Sequence, residues 1–464
     1  MRDAGNFSRP PTFLYVPIRA ASAWIATNHF FQKEGFMRMD TSCECGFCSI
    51  IPPYIFTGME RSGDERLRRI AEHVQQVMKR LRERRIERFS ATAVVKSLAA
   101  KPAPLKRIIY DCERGGDLPG KQVLVEGGQP PADPAVREAY EYSGVTWDFF
   151  KKLFDRSSIN NAGLTLTSSV HYQEGAEGLD NAFWDGRQMI YGDGSGIAFD
   201  RFTKSIDVVA HELTHGVTQY EANLVYENQP GALNEHFSDV FGILVRQWHG
   251  ANKGDAKQND PMTADWNIGG DLLLPGVHGV GLRSMSNPGG AYDDPRLGGK
   301  DPQPKHMSQY VDLPNNADGD WGGVHYNSGI PNHAFYLAAV AVGKPAWEVL
   351  GKIWYTTLTE RLKADADFAK CAAETISVAR DYFGDDVAHK VAAAWSSVGV
   401  TEVEPRAMAA AFRTSLLKPA DVLGLTEKST KAKESLKKLE KTAVGRAKKK
   451  VADARSAIEA AAHK

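Results

Sequence analysis

The stretch Val208-Val-Ala-His211-Glu212-Leu-Thr-His215-Gly216 constrains this chain more than any other. His215 follows His211 by four positions, a spacing that puts both imidazoles on one face of a helix, within reach of one cation. Glu212 projects about 100° around the helix from His211, beside that row rather than in it. Nineteen residues then intervene before Glu235, in Asn234-Glu235-His-Phe-Ser-Asp239. Glu235 can serve as an anionic third ligand, and Asp239, on the same predicted face of a second helix, can accept the spare N–H of a ligand histidine. Two histidines, one carboxylate and an open position are the donor set of a catalytic zinc rather than of a closed structural one. The bland alternative, two surface histidines and two solvated acids, requires four ligand-type residues to fall in register by accident.

A chain of 464 residues holds two or three compact units with a large core. Lysine plus arginine equals aspartate plus glutamate at 57 each, so no global field favours nucleic acid or a membrane surface. The five cysteines are too few and too uneven for a disulfide scaffold; Cys43, Cys45 and Cys48 cluster, while Cys112 and Cys371 stand alone. No run is long and apolar enough for a membrane span. The best signal-peptide candidate, Phe13 to Ala26, is interrupted by Pro17 and Arg19, although Ala21-Ser-Ala23 imitates a cleavage site.

Along the chain, Leu67, Ile70, Val74, Val77 and Leu81 form an apolar helical stripe with no partner inside so short a unit, so it is expected to pack on the rest of the protein. The arginines of that helix read as a solvated face or as a means of docking on an acidic rim. Pro102-Ala-Pro104 reads as an exposed linker, with cleavage expected between Ile86 and Leu105. Strands are expected at Lys106–Cys112, Gln122–Glu126, Leu164–Tyr172 and Gln188–Tyr191, with one amphipathic helix from Pro134 to Phe154. From Ser205 the periodicity turns helical: Ile206–Glu221, Ala232–Trp248, Ser328–Val342, Ala346–Leu362, Asp365–Tyr382 and Asp386–Ser397. A glycine- and proline-rich excursion, Gly250 to Gly323, interrupts them, and such length without regular structure is usually functional. The result is an α+β fold, β-rich in its amino half and helical in its carboxyl half, with the cleft along Ile206–Glu221. From Glu427 onward twelve basic residues face five acids, which reads as an exposed helix or a disordered tail.

His211-Glu-Leu-Thr-His215-Gly-Val-Thr, followed by Gly231-Ala-Leu-Asn-Glu235 and Ser238-Asp239, resembles the thermolysin family of zinc metalloendopeptidases. The likeness extends to Asp180-Asn181-Ala182-Phe183-Trp184, Tyr191-Gly-Asp-Gly, Leu282-Arg283-Ser-Met-Ser-Asn-Pro288 and Gly322-Gly-Val-His325-Tyr-Asn-Ser-Gly329, and it covers about residues 105 to 400. Upstream, Ser49-Ile-Ile-Pro52-Pro53-Tyr54 is similar to the short pro-segment of the protealysin-like branch. The resemblance implies a two-lobed metalloprotease with the zinc-binding helix between the lobes. It divides the chain into an N-terminal extension (1–36), a pro-segment and linker (37–104), a β-rich catalytic lobe (105–204), the active-site helix and helical lobe (205–400) and a Lys/Ala-rich tail (401–464).

The same resemblance implies roles. His211, His215 and Glu235 would hold one Zn2+, which brings the pKa of bound water to about 7, and Glu212 would take the water's proton and deliver it to the leaving amine. Tyr226 and His325 would steady the negative intermediate, with Asp320 orienting His325. Arg283 and Asn181 would hold main-chain carbonyls of the substrate, and the Ala182 carbonyl would receive the departing amine. Phe199, Phe202, Val208 and Leu282 would line the main specificity pocket, so cleavage is expected on the amino side of bulky hydrophobic residues. The expected partners are protein and peptide substrates and the chain's own pro-segment as an intramolecular inhibitor, with no nucleic acid and no membrane span.

Calcium departs from the family pattern. Asp207 matches a family ligand, but Arg246, Asn267 and Gly270 occupy the companion positions and Val280 replaces an acid elsewhere, so calcium is not expected there. Asp255, Asp260 and Asp265 are a weaker substitute set. A thiolate from Cys43, Cys45 or Cys48 is a candidate for zinc's open position in the precursor; incidental thiols near a chain end are the alternative. Two functional readings compete with the endopeptidase: a zinc aminopeptidase, and a catalytically silent binding protein of the same fold, whose signature would be loss of Glu212 or His325. The resemblance implies secretion; the lack of a clear export signal leaves cytoplasmic accumulation as the other reading.

Overall fold

The structure, a computed structural model, describes residues 48–90 and 103–401. The signal-like run at 13–26, the extension 1–36, Cys43 and Cys45, most of the expected maturation linker (91–102) and the basic tail from 402 onward lie outside the described residues.

The N-terminal described unit is an extended strip, Cys48 to Pro52, followed by two helices, Pro53–Arg61 (α1) and Glu65–Ser90 (α2). Pro53 starts α1 where its missing N–H costs nothing, and Asp64 caps α2 by accepting the N–H of Arg66 at 2.8 Å. The stripe Leu67, Ile70, Val74, Val77 and Leu81 is buried and belongs to the same hydrophobic cluster as the sheet and helices of the rest of the protein. The unit therefore has no separate core, as its size requires. Its arginines divide: Arg68 pairs with Glu65 and Glu72 on its own helix in solvent, whereas Arg80 reaches Glu174 at 2.8 Å.

The β-rich part is one five-stranded sheet formed by Arg107–Asp111 (β1), Lys121–Val125 (β2), Leu166–Val170 (β3), Ala182–Trp184 (β4) and Met189–Tyr191 (β5), in the order β2-β1-β3-β5-β4. The β1–β2 and β4–β5 pairs are antiparallel; β1–β3 and β3–β5 are parallel. A parallel neighbour needs a crossover, and Pro134–Phe154 (α3), capped by the Asp133 carboxylate on the Val136 N–H at 3.1 Å, lies between β1 and β3 in the chain. β4 is short and wholly apolar, so no alternation marks it in the sequence. It forms one edge of the sheet, with main-chain groups open to a further strand.

The helical part comprises Ile206–Tyr220 (α4), Asn228–Asn252 (α5), Asp320–Asn327 (α6), Gly329–Val342 (α7), Leu350–Thr356 (α8) and Phe368–Ser397 (α9). Every residue of α4 from Ile206 to Thr218 is buried, so this helix is the centre of the molecule and not a surface element. α5 packs closely on it: a Cβ added to Gly242 would stand 2.7 Å from the Asp207 carbonyl oxygen. Any larger residue there would push apart the two helices that carry the histidines and Glu235.

α9 is broken at Gly384, where φ is 82° and ψ 177°, so the two helices expected there are present, and the first starts at Phe368 because Asp367 caps it through the Lys370 N–H. Two expectations need correction. The helix expected at 346–362 is only Leu350–Thr356, continued as a wider π turn over Thr357–Arg361. The excursion at 250–323 holds short 3-10 turns and two-residue ladders, one of which pairs Asn267–Ile268 with Arg283–Ser284.

Candidate active site

α4 and α5 bring the expected donors together. His211 Nε2 and His215 Nε2 face each other at 3.0 Å, and each lies 3.5 Å from a different oxygen of Glu235. The far side of each ring is tied down. His211 Nδ1 lies 2.8 Å from Asp239 Oδ1, and His215 Nδ1 lies 2.9 Å from Asn234 Oδ1 and 3.0 Å from Ser238 Oγ. Anchoring of the Nδ1 positions turns the two Nε2 lone pairs toward one point. With each Nδ1 proton directed to its acceptor, the two Nε2 atoms at 3.0 Å need a proton or a metal ion between them, and the buried Glu235 Oε2 has no hydrogen-bond partner among the described residues. Nitrogen, nitrogen and carboxylate oxygen converging in this way fit a zinc ion. Among the described residues this is the only such cluster of His, Cys, Asp and Glu.

Asp239 does more than the sequence indicated. Both its oxygens accept from the Arg283 guanidinium at 2.9 Å, and Asn332 donates to it at 2.8 Å. Burial favours the neutral acid, but Arg283 and His211 outweigh it and keep the carboxyl well below the usual range. An ionised Asp239 thus fixes both a ligand histidine and the arginine of the cleft.

Glu212 lies across from the ligands with one oxygen anchored and one spare. Oε2 accepts the Trp184 N–H of β4 at 3.0 Å, while Oε1 has no partner among the described residues. Burial, reinforced by Glu235 and opposed by His211, pushes its carboxyl up to about 8.

His325 reaches the site through an unusual turn. Trp321, Gly322 and Gly323 all have positive φ (53°, 83° and 77°), which breaks the first turn of α6 and swings His325 inward; glycine takes this conformation at no steric cost. Its Nδ1 lies 2.6 Å from Asp320 Oδ1, and its Nε2 lies 3.2 Å from the Tyr226 hydroxyl. Burial opposes a charge on His325, but Asp320 and Glu235 raise it to about 9, so both ring nitrogens can donate. Tyr226 in turn donates to Glu235.

The strip before α1 lies in this cleft. Ser49 pairs antiparallel with Phe183 at the β4 edge. The Ile50 N–H donates to the Ala182 carbonyl at 3.2 Å, the Ile50 carbonyl accepts from Arg283 Nη1 at 2.9 Å, and the Ile51 N–H donates to Asn181 Oδ1 at 3.2 Å. Asn181 here meets a main-chain N–H and not the carbonyl expected of it, because its Oδ1 is the atom turned toward the strip. Phe199, Phe202, Val208 and Leu282 are each fully buried in one apolar cluster that includes Ile50. Pro52 is buried, Pro53 opens α1, and the Tyr54 ring packs 4.5 Å from that of Tyr326.

Cys48 does not take the open metal position. It packs against Tyr226 and Val324, outside the converging group, and the main-chain carbonyl of Ser49 is what faces His325. Asp255 and Asp260 cap local turns, so the substitute calcium set does not assemble. Arg246 instead places its guanidinium among Asp207 (3.2 Å), Asp265 (3.3 Å) and Asp271 (3.2 Å).

Sequence reasoning missed three groups. Asn234 and Ser238 were part of the quoted motif but had no role. Arg85 is buried and donates to the Trp184 carbonyl at 2.9 Å. Its position, four after Leu81, continues the apolar stripe and was the available signal.

A buried helix with two convergent histidines, a glutamate from the next helix and an edge strand lining a peptide-sized cleft define a metallopeptidase. Residues 126–219 match the model of the thermolysin metallopeptidase catalytic domain and residues 222–400 that of its alpha-helical domain. The chain belongs to the thermolysin family and is a metalloendopeptidase. It is 48% identical over 358 residues to an extracellular metalloprotease of Pectobacterium carotovorum subsp. carotovorum, covering 76% of this chain and 96% of that one. It is 42% identical over 304 residues to neutral protease NprE of Bacillus pumilus, covering 65% and 90% respectively. Among solved structures, the precursor of protealysin, a metalloproteinase from Serratia proteamaculans, matches with a TM-score of 0.66 and 48% identity over 76% of this chain and all of that one.

Proposed function

We propose that the chain is a zinc-dependent endopeptidase that cuts on the amino side of bulky hydrophobic residues and is made as a self-inhibited precursor. The observation that carries this reading is the convergence of His211 Nε2, His215 Nε2 and the Glu235 carboxylate beside a Glu212 oxygen without a partner. When bound by these three residues, zinc would acidify water and polarise the scissile carbonyl.

The remaining steps belong to side chains and the main chain. Glu212, held through Oε2, is free at Oε1 to accept a proton from water and pass it to the leaving nitrogen. His325, kept charged by Asp320, donates to the carbonyl oxygen as negative charge develops, with the Tyr226 hydroxyl beside it; a donor of this kind is worth about 10² to 10³ in turnover. Arg283 and the Ala182 carbonyl fix the substrate main chain on either side of its first residue past the cut, and Asn181 holds the next one. Phe199, Phe202, Val208 and Leu282 supply no polar partner, so a bulky apolar side chain is preferred there.

Residues 37–104 are then the pro-segment and linker, 105–204 the β-rich lobe and 205–400 the helical lobe. The pro-segment inhibits by filling the cleft with its own main chain from Ser49 to Ile51. Arg246 supplies the positive charge among Asp207, Asp265 and Asp271, so calcium has no role there. No described helix is long and apolar enough to cross a membrane, and the Pectobacterium relative is named extracellular; export of this chain is part of the same reading.

The test is hydrolysis of casein by the full chain after incubation with zinc, with and without a chelator, beside Glu212→Ala. Fragments beginning with leucine, isoleucine or phenylalanine support the reading. Turnover that survives the chelator, or that persists in the Glu212 variant, rejects it. An aminopeptidase would leave amino-blocked peptides intact, and a silent binding protein would leave casein whole.

A further inference from the structure

Filling a cleft and presenting a bond to it are different things. A segment that merely blocks can run in either direction and in any register. In this chain four successive main-chain groups occupy four different partners in order: the Ser49 carbonyl faces His325 Nε2 at 3.1 Å, the Ile50 N–H meets Ala182, the Ile50 carbonyl meets Arg283, and the Ile51 N–H meets Asn181. One peptide bond, Ser49–Ile50, therefore has its carbonyl oxygen against the group that would steady an oxyanion and its nitrogen against the carbonyl that would receive a departing amine. The residue on its amine side is fully buried isoleucine, a bulky apolar side chain.

Resting on the endopeptidase reading above, we propose that Ser49–Ile50 is the enzyme's own first substrate bond, hydrolysed within the same molecule. Water oxygen adds to the Ser49 carbonyl carbon and the C–N bond breaks. Both water protons end on the Ile50 nitrogen, the first carried there by Glu212, which leaves a Ser49 carboxylate and an Ile50 ammonium group. Nothing is oxidised or reduced, and the only co-reactant is water. Tethering removes the cost of bringing enzyme and substrate together, a term that reaches ~10⁵ M or more in effective concentration when the geometry is right. The cut detaches residues 1–49, including all three clustered cysteines. It does not unblock the cleft, because α1 and α2 stay docked through the buried stripe, through Arg85 on the Trp184 carbonyl and through Arg80 on Glu174. Trimming and activation are thereby separate events, the second requiring a break C-terminal to α2.

The test uses the full chain loaded with zinc at two concentrations ten-fold apart, followed by intact-mass spectrometry. A species beginning at Ile50 should appear with the same first-order rate constant at both concentrations, before casein activity appears. It should be absent in Glu212→Gln and at least ~100-fold slower in Ile50→Asp, since a charge does not enter an apolar pocket. A readout independent of turnover is hydrogen exchange in the metal-free Glu212→Gln chain: the Ile50 and Ile51 amides should be protected, and Ile50→Asp should expose them. The inference is overturned if casein is cut while Ser49–Ile50 stays whole, if the rate scales with concentration, or if those two amides exchange freely. If no preparation of the chain cuts casein, the endopeptidase reading itself falls.

Discussion

Replacement of Arg246 by leucine tests whether its guanidinium is the cation that the base of the active-site helix depends on. The arginine is mostly buried and reaches three carboxylates, of which Asp207 is fully buried and also accepts the Gly269 N–H at 2.6 Å. Asp265 and Asp271 are partly exposed, so solvent screens their share and the unpaired Asp207 dominates. Removing one partner of a buried pair costs about 3 to 5 kcal/mol, and the low end applies because Asp207 keeps its N–H donor. For a folded unit of roughly 300 residues, an unfolding entropy of ~2.1 cal/mol/K per residue converts about 3 kcal/mol into a fall of about 5 °C in Tm. The assay is thermal unfolding at one fixed scan rate, with and without calcium. In the leucine variant three carboxylates face one another, and with a Kd of ~1 mM, ~10 mM calcium should restore about 1.4 kcal/mol. In the parent, calcium should move Tm by less than about 1 °C, well below the restoration expected in the variant. An unchanged Tm in Arg246→Leu, or a parent that calcium stabilises as strongly as the variant, would refute the reasoning.

Three further outcomes follow from the site and its surroundings. Asp239→Asn removes the negative charge and one of the two oxygens that His211, the Arg283 fork and Asn332 share, so zinc affinity should drop about 10- to 100-fold; metal content after dialysis checks this, and full retention would contradict it. Stripping the metal with a chelator should abolish turnover and lower Tm, because the buried His211, His215 and Glu235 lose the cation they would share, and added zinc should restore both. His171 bridges Asp193 at 2.8 Å and the α3 cap Asp133 at 3.2 Å, and the Asp193 hydrogen bond, against some burial, raises it from 6.5 to about 9. A raised histidine contributes stability that is complete below about pH 6.5 and fades as pH climbs through about 9. The stability gap between the parent and His171→Gln, on the order of 1 kcal/mol after screening and read as a difference in Tm, should therefore close by pH 10.

How much of this was legible in the sequence follows from the range of each interaction. The metal-binding group depends on helical spacing within α4 and α5, and spacing is a local property, so His211, His215, Glu235 and Asp239 could be placed before any coordinates. Arg85 lies on an equally regular stripe, but arginine is seldom buried and its partner, a carbonyl of β4, is 99 positions away, so the sequence leaves it with the other arginines of its helix, on a solvated face or docked on an acidic rim. β4 itself is three apolar residues long, too short for periodicity to register. The dual grip of Asp239 on His211 and Arg283 required knowing that the irregular stretch after α5 returns to the cleft, and nothing in its glycine- and proline-rich composition says where it goes. Likewise the resemblance indicated that Pro52, Pro53 and Tyr54 matter, but only the sheet edge determines which main-chain groups of the preceding strip fall opposite His325.

β4 carries a further consequence. With Asn181, Arg283 and His325 beside it, it holds the strip at 49–51 through that strip's main-chain groups. Beyond one bulky apolar side chain, such a site would read little of a sequence and would select instead chains that can offer a few consecutive residues in extended form with their amides unclaimed. Well-packed proteins rarely can, whereas frayed ends, long loops and misfolded polypeptides can. On the proposed function, what a protease of this design digests would depend on the looseness of its prey as well as on that one side chain, and its own longevity on how few such stretches it leaves on show.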